Sequence, residues 1–264
     1  MAATIIDGKG LAERVKAKTA EAAKCLSRKP GLAVILVGDN PASRVYVTGK
    51  EKDCAQCGFL SFEYKLEAKT TQAELLALIR RLNDDDAVDG ILCQLPLPRH
   101  MDETEILNAI DPDKDVDCFH PINVGKLSIG APVFLPCTPA GVMEILSDCG
   151  ISASGKRCVV VGRSNIVGKP MSMLLTQADG TVTTCHSRTP DLGKITHQAD
   201  ILVTAVGRVG LITADMVKRG AVVIDVAMNR NEAGKLCGDV DFPAVVKKAS
   251  YITPVPGGVG PMTR

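Results

Sequence analysis

The chain has 264 residues, 31 Lys+Arg against 30 Asp+Glu for a formal net charge of +1, and 45% hydrophobic residues. That length allows one large or two ordinary domains, and the balanced charge lacks the basic excess that a nucleic-acid or membrane-surface partner selects. No run approaches the ~18 apolar residues of a membrane span. Met-Ala-Ala-Thr-Ile-Ile-Asp-Gly lacks the charged-then-apolar order of a signal peptide, so a cytoplasmic globular protein is expected.

The first half alternates strand and helix patterns. Gly31–Gly38, Phe59–Leu66 and Val88–Cys93 read as short strands. Helical spacing of apolar residues covers roughly 9–28, 41–57 and 71–84. Thr71 with Glu74 three residues later fits a capping box opening the third helix. The rhythm is βαβ and predicts parallel strands. A stretch rich in Pro and Asp, from Asp111 to Pro136, breaks it and reads as a connection with long loops. A helix from about Thr138 to Cys149 then leads to a second series of buried-strand runs: Arg157–Val161, Thr181–Cys185, Asp200–Thr204 and Ala221–Asp225. The expected fold is two α/β domains with a cleft between them, the second Rossmann-like. The divisions fall at 1–118, a connection and linking helix at 119–149, and 150–264.

The ten cysteines carry no disulfide-framework spacing and read as free thiols of a reducing compartment. Cys54-Ala-Gln-Cys57 is the exception in spacing. A structural zinc site needs a second pair, which Cys93 and Cys118 do not form. The pair also falls inside a helical pattern rather than between strand and helix, which is the wrong place for a thioredoxin-like redox motif. Asp111-Pro-Asp-Lys-Asp-Val-Asp117 resembles the start of a calcium loop, but counted from Asp113 the required Gly is Cys118 and the closing Glu is Val124. No metal is expected.

Strand 157–161 runs directly into Gly162-Arg-Ser-Asn-Ile-Val-Gly168-Lys-Pro170 and then into a helix. A glycine loop feeding a helix N-terminus is an anion site, because unpaired amides and the helix dipole favour phosphate. The spacing matches neither G-x-G-x-x-G nor a Walker loop. A nucleotide fits this context better than a plain tight turn. The next strand ends in Cys185-His-Ser-Arg-Thr189, with no acid to hold ribose hydroxyls. Two hydroxyls, a guanidinium and an imidazole suit a 2′-phosphate instead, which favours NADP over NAD; a polar surface loop is the alternative.

Tyr46 and Lys50 stand four residues apart, on one helix face. Short-chain dehydrogenases also use Tyr-x-x-x-Lys, but there the pair follows the nucleotide loop, and here it precedes it. Gln94-Leu-Pro-Leu-Pro98 comes directly after the third strand, where side chains point into the usual ligand crevice; a plain turn fits these residues equally. A carboxylate in the 111–117 stretch can accept two N–H bonds from a flat heterocycle, with a structural turn as the alternative. Thr253-Pro-Val-Pro-Gly-Gly-Val-Gly-Pro-Met-Thr263, after the last strand, reads as a site-lining loop.

Taken together these segments, with Asp115-Val-Asp117 and Pro136-Cys-Thr-Pro-Ala-Gly141, resemble the bifunctional methylenetetrahydrofolate dehydrogenase/methenyltetrahydrofolate cyclohydrolase family over essentially the whole chain. The resemblance implies a folate substrate, NADP on the second domain, and two reactions: oxidation of the methylene to the methenyl derivative, then hydrolysis to 10-formyltetrahydrofolate. It also implies a homodimer. It assigns catalytic roles to Lys50 (proton transfer), Gln94 (orienting Lys50), Tyr46 (stacking on the substrate) and Asp117 (binding the pterin N–H groups). Gly162, Arg163, Ser164, Ser187, Arg188 and the backbone at Met228 would hold NADP, and Pro256, Gly257 and Gly258 would line the substrate with Tyr46, Gln94 and Asp117.

Three departures stand out. Cys118 and Ala227 occupy positions where the family usually has Gly, and both are small enough to imply only local adjustment. Pro261-Met-Thr-Arg264 looks like the beginning of a helix that the family continues and packs back on the first domain. Two rival readings exist: another two-domain NADP dehydrogenase, of the shikimate or amino-acid type, and a noncatalytic dinucleotide sensor. The first leaves the Gln94–Pro98 and Pro254–Pro261 loops without a purpose, and the second has no use for Lys50.

Overall fold

The alternation of apolar runs and helical spacings becomes two parallel sheets in the computed structural model, which describes residues 3–264. In chain order the elements are β1 (Thr4–Ile5), α1 (Gly8–Ala23), β2 (Gly31–Val37), α2 (Pro41–Cys57), β3 (Leu60–Leu66), α3 (Gln72–Asn83), β4 (Gly90–Cys93), α4 (Glu103–Asn108), α5 (Pro121–Ser128) and α6 (Cys137–Asp148). There follow β5 (Arg157–Val161), α7 (Gly168–Gln177), β6 (Thr181–Cys185), α8 (Leu192–Thr196), β7 (Ile201–Thr204), β8 (Val222–Asp225), β9 (Asn229–Arg230), β10 (Leu236–Cys237), α9 (Phe242–Val245), β11 (Tyr251–Ile252) and a 3-10 turn at Gly260–Thr263.

The residues group into two compact units, one holding Glu13–Leu135 with Arg264, the other holding the described residues through Ala12 with Pro136–Thr263. The boundaries of these compact units fall within α1 and before α6. The reason is pairing: β1 joins the sheet of the later unit beside β11, and α6 packs there too, its Gly141 so close to Met262 that a Cβ would lie 2.8 Å from the Met262 Cβ.

In the Glu13–Leu135 unit the sheet order is β3-β2-β4, all parallel. β2 is apolar along its whole length because both its faces are covered. Ala33, Ile35 and Val37 pack with Leu75, Ile79 and Leu82 of α3. Val34 and Leu36, on the opposite face as the two-residue period requires, pack with Val47 of α2. Thr71 caps α3 through a complete capping box with Glu74.

The other unit carries a six-stranded parallel sheet, β1-β11-β8-β7-β5-β6. The chain leaves β5 for β6 on one side and for β7 on the other, so the switch point, where open α/β sheets bind ligands at the carboxyl ends of strands, lies at β5.

The proline-rich stretch is less irregular than expected. α5 forms inside it because Pro121 takes the first helical position and the His120 Nδ1 accepts from the Ile122 N–H at 3.2 Å. α1 stops at Ala23, short of the expected residue 28.

Candidate functional site

The nucleotide cradle lies at the carboxyl end of β5. Gly162 has φ +137, a conformation only glycine adopts readily. A Cβ on Gly168 would sit 2.3 Å from the Gly162 carbonyl oxygen, so the loop closes on itself with no space for a side chain. Ser164 holds this shape: its Oγ accepts from the N–H groups of Val167 at 3.2 Å and Gly168 at 3.3 Å. Ser164 therefore holds the amides that lead into α7 and is also a candidate phosphate ligand. Arg163 is exposed at the loop's rim.

At the end of neighbouring β6, the His186 N–H donates to Thr189 Oγ1 at 2.8 Å and the Arg188 N–H to His186 Nδ1 at 3.2 Å. This small knot turns Ser187 and Arg188 outward, both exposed. No carboxylate stands in the 185–189 turn. The donor set fits a dinucleotide with a phosphorylated ribose. After β8, Met228 is 45% exposed, and its Cε would lie 3.4 Å from a Cβ on Gly260. Pro256, Gly257 and Gly258 belong to this same unit, in the loop after β11. Gly8 lies so close to Gly258 that a Cβ there would be 1.8 Å from the Gly258 carbonyl oxygen.

Tyr46, Lys50, Gln94 and Asp117 all fall in the Glu13–Leu135 unit. Tyr46 and Lys50, both half-buried, are one helical turn apart on α2, about 6 Å along its axis. Burial pushes the Tyr46 phenol above its ordinary range. The Ser43 hydroxyl, on the first turn of α2, donates to the Leu95 carbonyl at 3.5 Å and so ties the helix to the loop after β4. In that loop the Gln94 N–H continues the ladder to the Ile35 carbonyl at 2.9 Å. Its side-chain Nε2 donates to the Leu95 carbonyl at 2.9 Å, and its Oε1 is buried with no partner.

Asp117 reaches the same sheet edge by a different route. Asp115 bridges Ile91 in the parallel sense, and after the turn that follows, Asp117 lies near enough to Cys93 for its charge to act on the thiol. Burial, then the charge of Asp117, push the Cys93 thiol up to about 12. Gly90 leaves room for this segment, since a Cβ there would lie 2.5 Å from Val116 Cγ1.

Sequence reading gave Asp115 no role beyond its motif and did not single out Asn123, yet the two organise the segment next to Asp117. Asp115 is buried and accepts from the N–H groups of Phe119 at 3.2 Å and His120 at 2.8 Å, and from Asn123 Nδ2 at 2.9 Å. Asn123 is fully buried and also donates to the Pro112 carbonyl at 2.7 Å. Nothing in the spacing of Asp115 and Asn123 marks them as a pair. Between them Cys118 adopts φ +58, which accounts for glycine being usual there and makes this cysteine a strained substitute.

A parallel sheet with a glycine cradle at its switch point, in a chain whose other unit carries an amine, a phenol, an amide and a carboxylate, fits a dinucleotide-dependent dehydrogenase of the two-unit α/β class. The comparisons narrow this further. Residues 6–117 match the family described as tetrahydrofolate dehydrogenase/cyclohydrolase, catalytic domain, and residues 136–264 match its NAD(P)-binding domain. The chain belongs to the tetrahydrofolate dehydrogenase/cyclohydrolase family, and is an enzyme with NADP as its cofactor.

A curated relative from Acetivibrio thermocellus, called bifunctional protein FolD, is 58% identical over 100% of this chain and 93% of its own length. A solved structure of the bifunctional enzyme FolD, methylenetetrahydrofolate dehydrogenase/cyclohydrolase, from Campylobacter jejuni superposes with a TM-score of 0.97 at 54% identity, covering 99% of this chain and 94% of that one. The Trypanosoma brucei enzyme, solved with NADP and an inhibitor, gives a TM-score of 0.95 at 42% identity, covering 100% of this chain and 94% of that one.

Proposed function

We propose that this chain oxidises 5,10-methylenetetrahydrofolate to the methenyl derivative with NADP and then hydrolyses that product to 10-formyltetrahydrofolate, with Lys50 as the proton-transfer group of the second step. The observation that carries this reading is the end of β4, where Gln94 holds a buried oxygen without a partner and the preceding residue, Cys93, feels the charge of Asp117. An unpaired buried acceptor costs about 1–3 kcal/mol, and a cationic or N–H-bearing group brought to it removes that cost.

Asp117 accepts N–H bonds from the flat pterin, which a carboxylate does twice over. Tyr46 stacks on the substrate ring and keeps it level, and its burial holds the phenol neutral. Gln94 orients the Lys50 amine, which takes the proton released when water adds to the methenyl carbon. Ring opening then returns a proton to the departing nitrogen.

When bound, NADP supplies the hydride acceptor for the first step. Gly162, Arg163 and Ser164 would hold its pyrophosphate, and Ser187 with Arg188 its ribose phosphate. The backbone at Met228 and the Pro256-Gly257-Gly258 turn would border the reacting carbon. On this reading residues 1–118 form the folate-binding catalytic domain, 119–149 the connection, and 150–264 the NADP domain.

Two broader assignments accompany it. The ten free cysteines suit a reducing cytoplasm, and no described helix is long and apolar enough to cross a membrane. A homodimer is supported by β3, whose outer edge pairs with no described strand.

The test follows NADPH formation and methenyl and formyl products together in one assay. Lys50→Met is expected to lower cyclohydrolase turnover by at least ~100-fold, the low end of general acid–base contributions, while retaining more of the dehydrogenase. Equal loss of both activities overturns the role given to Lys50, and absence of NADPH formation by the parent protein overturns the reaction itself.

A further inference from the structure

At the carboxyl ends of β7 and β8 the structure buries two carboxylates that no step above uses. Asp239 is fully buried and Asp225 is 3% exposed. Asp239 Oδ2 accepts from the Thr204 hydroxyl at 3.0 Å and the Val206 N–H at 2.8 Å. Its Oδ1 accepts from the Arg208 N–H at 2.6 Å and Asn229 Nδ2 at 3.1 Å. Asp225 accepts from the N–H groups of Ala227 at 3.2 Å, Asp239 at 3.1 Å and Val240 at 2.9 Å. Its own N–H donates to Thr253 Oγ1 at 2.7 Å, where the loop after β11 begins. Gly238 permits the approach, because a Cβ there would fall 1.9 Å from Asp225 Oδ2.

The two carboxylates therefore fasten the 205–208 loop and the 226–229 turn to one another, and the main chain of Asp225 ties in the start of the 253–258 loop. These lie on the β7–β8 side of the switch point, whereas the ribose-phosphate residues lie on the β6 side. A dinucleotide spanning that point places its second mononucleotide over β7 and β8. Burying two neighbouring carboxylates is costly, and neutral acceptors would suffice for stability alone. We propose that Asp239, braced by Asp225, is a positioning residue for hydride transfer: it sets the backbone against which the nicotinamide rests.

The inference depends on the dehydrogenase reading above and assigns no chemistry to Asp239 itself. In Asp239→Asn an amide NH2 replaces one of the two doubly accepting oxygens, so two of four bonds are lost. A displacement of the order of 1 Å at a reacting centre costs about 100-fold. The expected result is a fall of about that size in dehydrogenase kcat with a raised deuterium isotope effect from methylene-deuterated substrate. The Kd for NADP should stay within about threefold and methenyl hydrolysis within about twofold, since the phosphate-binding residues lie on the β5–β6 side and the Asp239 carboxylate bonds no residue of the substrate-lining 253–258 loop. Thr204→Val removes a single contact and should show the same pattern more weakly.

Parallel loss of both activities with an unchanged isotope effect would make Asp239 a stability residue and overturn the proposal, as would unchanged dehydrogenase kcat in both variants. The parent protein separates the two levels: if it reduces NADP with the substrate, a negative result in the variants counts against Asp239 alone.

Discussion

Glycines at the cradle act through what their missing Cβ leaves open. Gly168 faces only backbone: a Cβ would lie 2.3 Å from the Gly162 oxygen, 2.5 Å from its carbonyl carbon and 2.7 Å from the Arg163 nitrogen. None of these atoms can swing aside as a side chain can. Gly168→Ala must therefore pry the loop from α7 and move the amides that Ser164 now organises. We expect at least a ~10-fold rise in the Kd for NADP, about 1.4 kcal/mol, with hydrolysis of added methenyl substrate retained. Titration calorimetry measures it, and a Kd within twofold of the parent would show that the cradle accommodates a methyl group.

At the scale of elements, α3 offers a clean test because its cap is local and exposed. The Thr71 hydroxyl accepts from the Glu74 N–H at 3.3 Å, and the Glu74 carboxylate accepts in return from the Thr71 N–H at 2.8 Å. Thr71→Ala removes the first bond at a cost of about 1 kcal/mol, a fall of about 2–4 °C in Tm for a protein of this size. The returning bonds hold the Glu74 carboxyl below its usual range, first through the Thr71 backbone and then through its hydroxyl. A carboxyl with a depressed folded pKa stabilises above its unfolded pKa and loses that contribution as pH falls through the folded one. The Tm difference between parent and Glu74→Gln should accordingly shrink on acidification, and a difference that grows would contradict the capping box.

That box was readable as Thr71-x-x-Glu74, as were β2 to β8, the longer strands of both sheets, because buried parallel strands write continuous apolar runs. The glycine cradle was readable for the same reason: tight backbone approach admits one residue type. α4, α5 and the two-residue strands β1, β9 and β10 were not. They are too short to show a period, and β1 exists only because β11 provides an edge for it. The role of Asp115 as a buried acceptor, and Asp239 altogether, also escaped notice, since an aspartate that ties loops together by N–H bonds looks in sequence like any turn residue. Asp225 left a trace, as a charge closing the apolar run Val222-Val-Ile-Asp225.

For the whole molecule the open question of assembly turns on β3. It pairs with β2 over all seven residues, Leu60–Leu66, yet no described strand covers its other side. Such an edge presents free N–H and C=O groups and invites pairing with another chain. Ser61 adds a buried Oγ with no partner, and Leu60 is 42% exposed. Closed two-fold symmetry is the commonest way to use a self-complementary edge. A two-fold axis perpendicular to β3 makes the paired copies antiparallel. With Glu63 at the centre of the strand, it sets Ser61 of one copy opposite Lys65 of the other.

Lys65 is well placed for this, since it is mostly exposed and paired to Glu63 at 2.5 Å. Lys65→Glu replaces that ion pair with a repulsion and adds a negative charge on each side of the axis. Sedimentation of the parent at micromolar concentration should give twice the 27.9 kDa chain mass. The variant should dissociate at a concentration at least ~10-fold higher, equivalent to about 1.4 kcal/mol, and more readily at low salt, where like charges are least screened. A parent that sediments as one chain would remove the homodimer. A variant that dimerises as the parent does would move the interface away from β3.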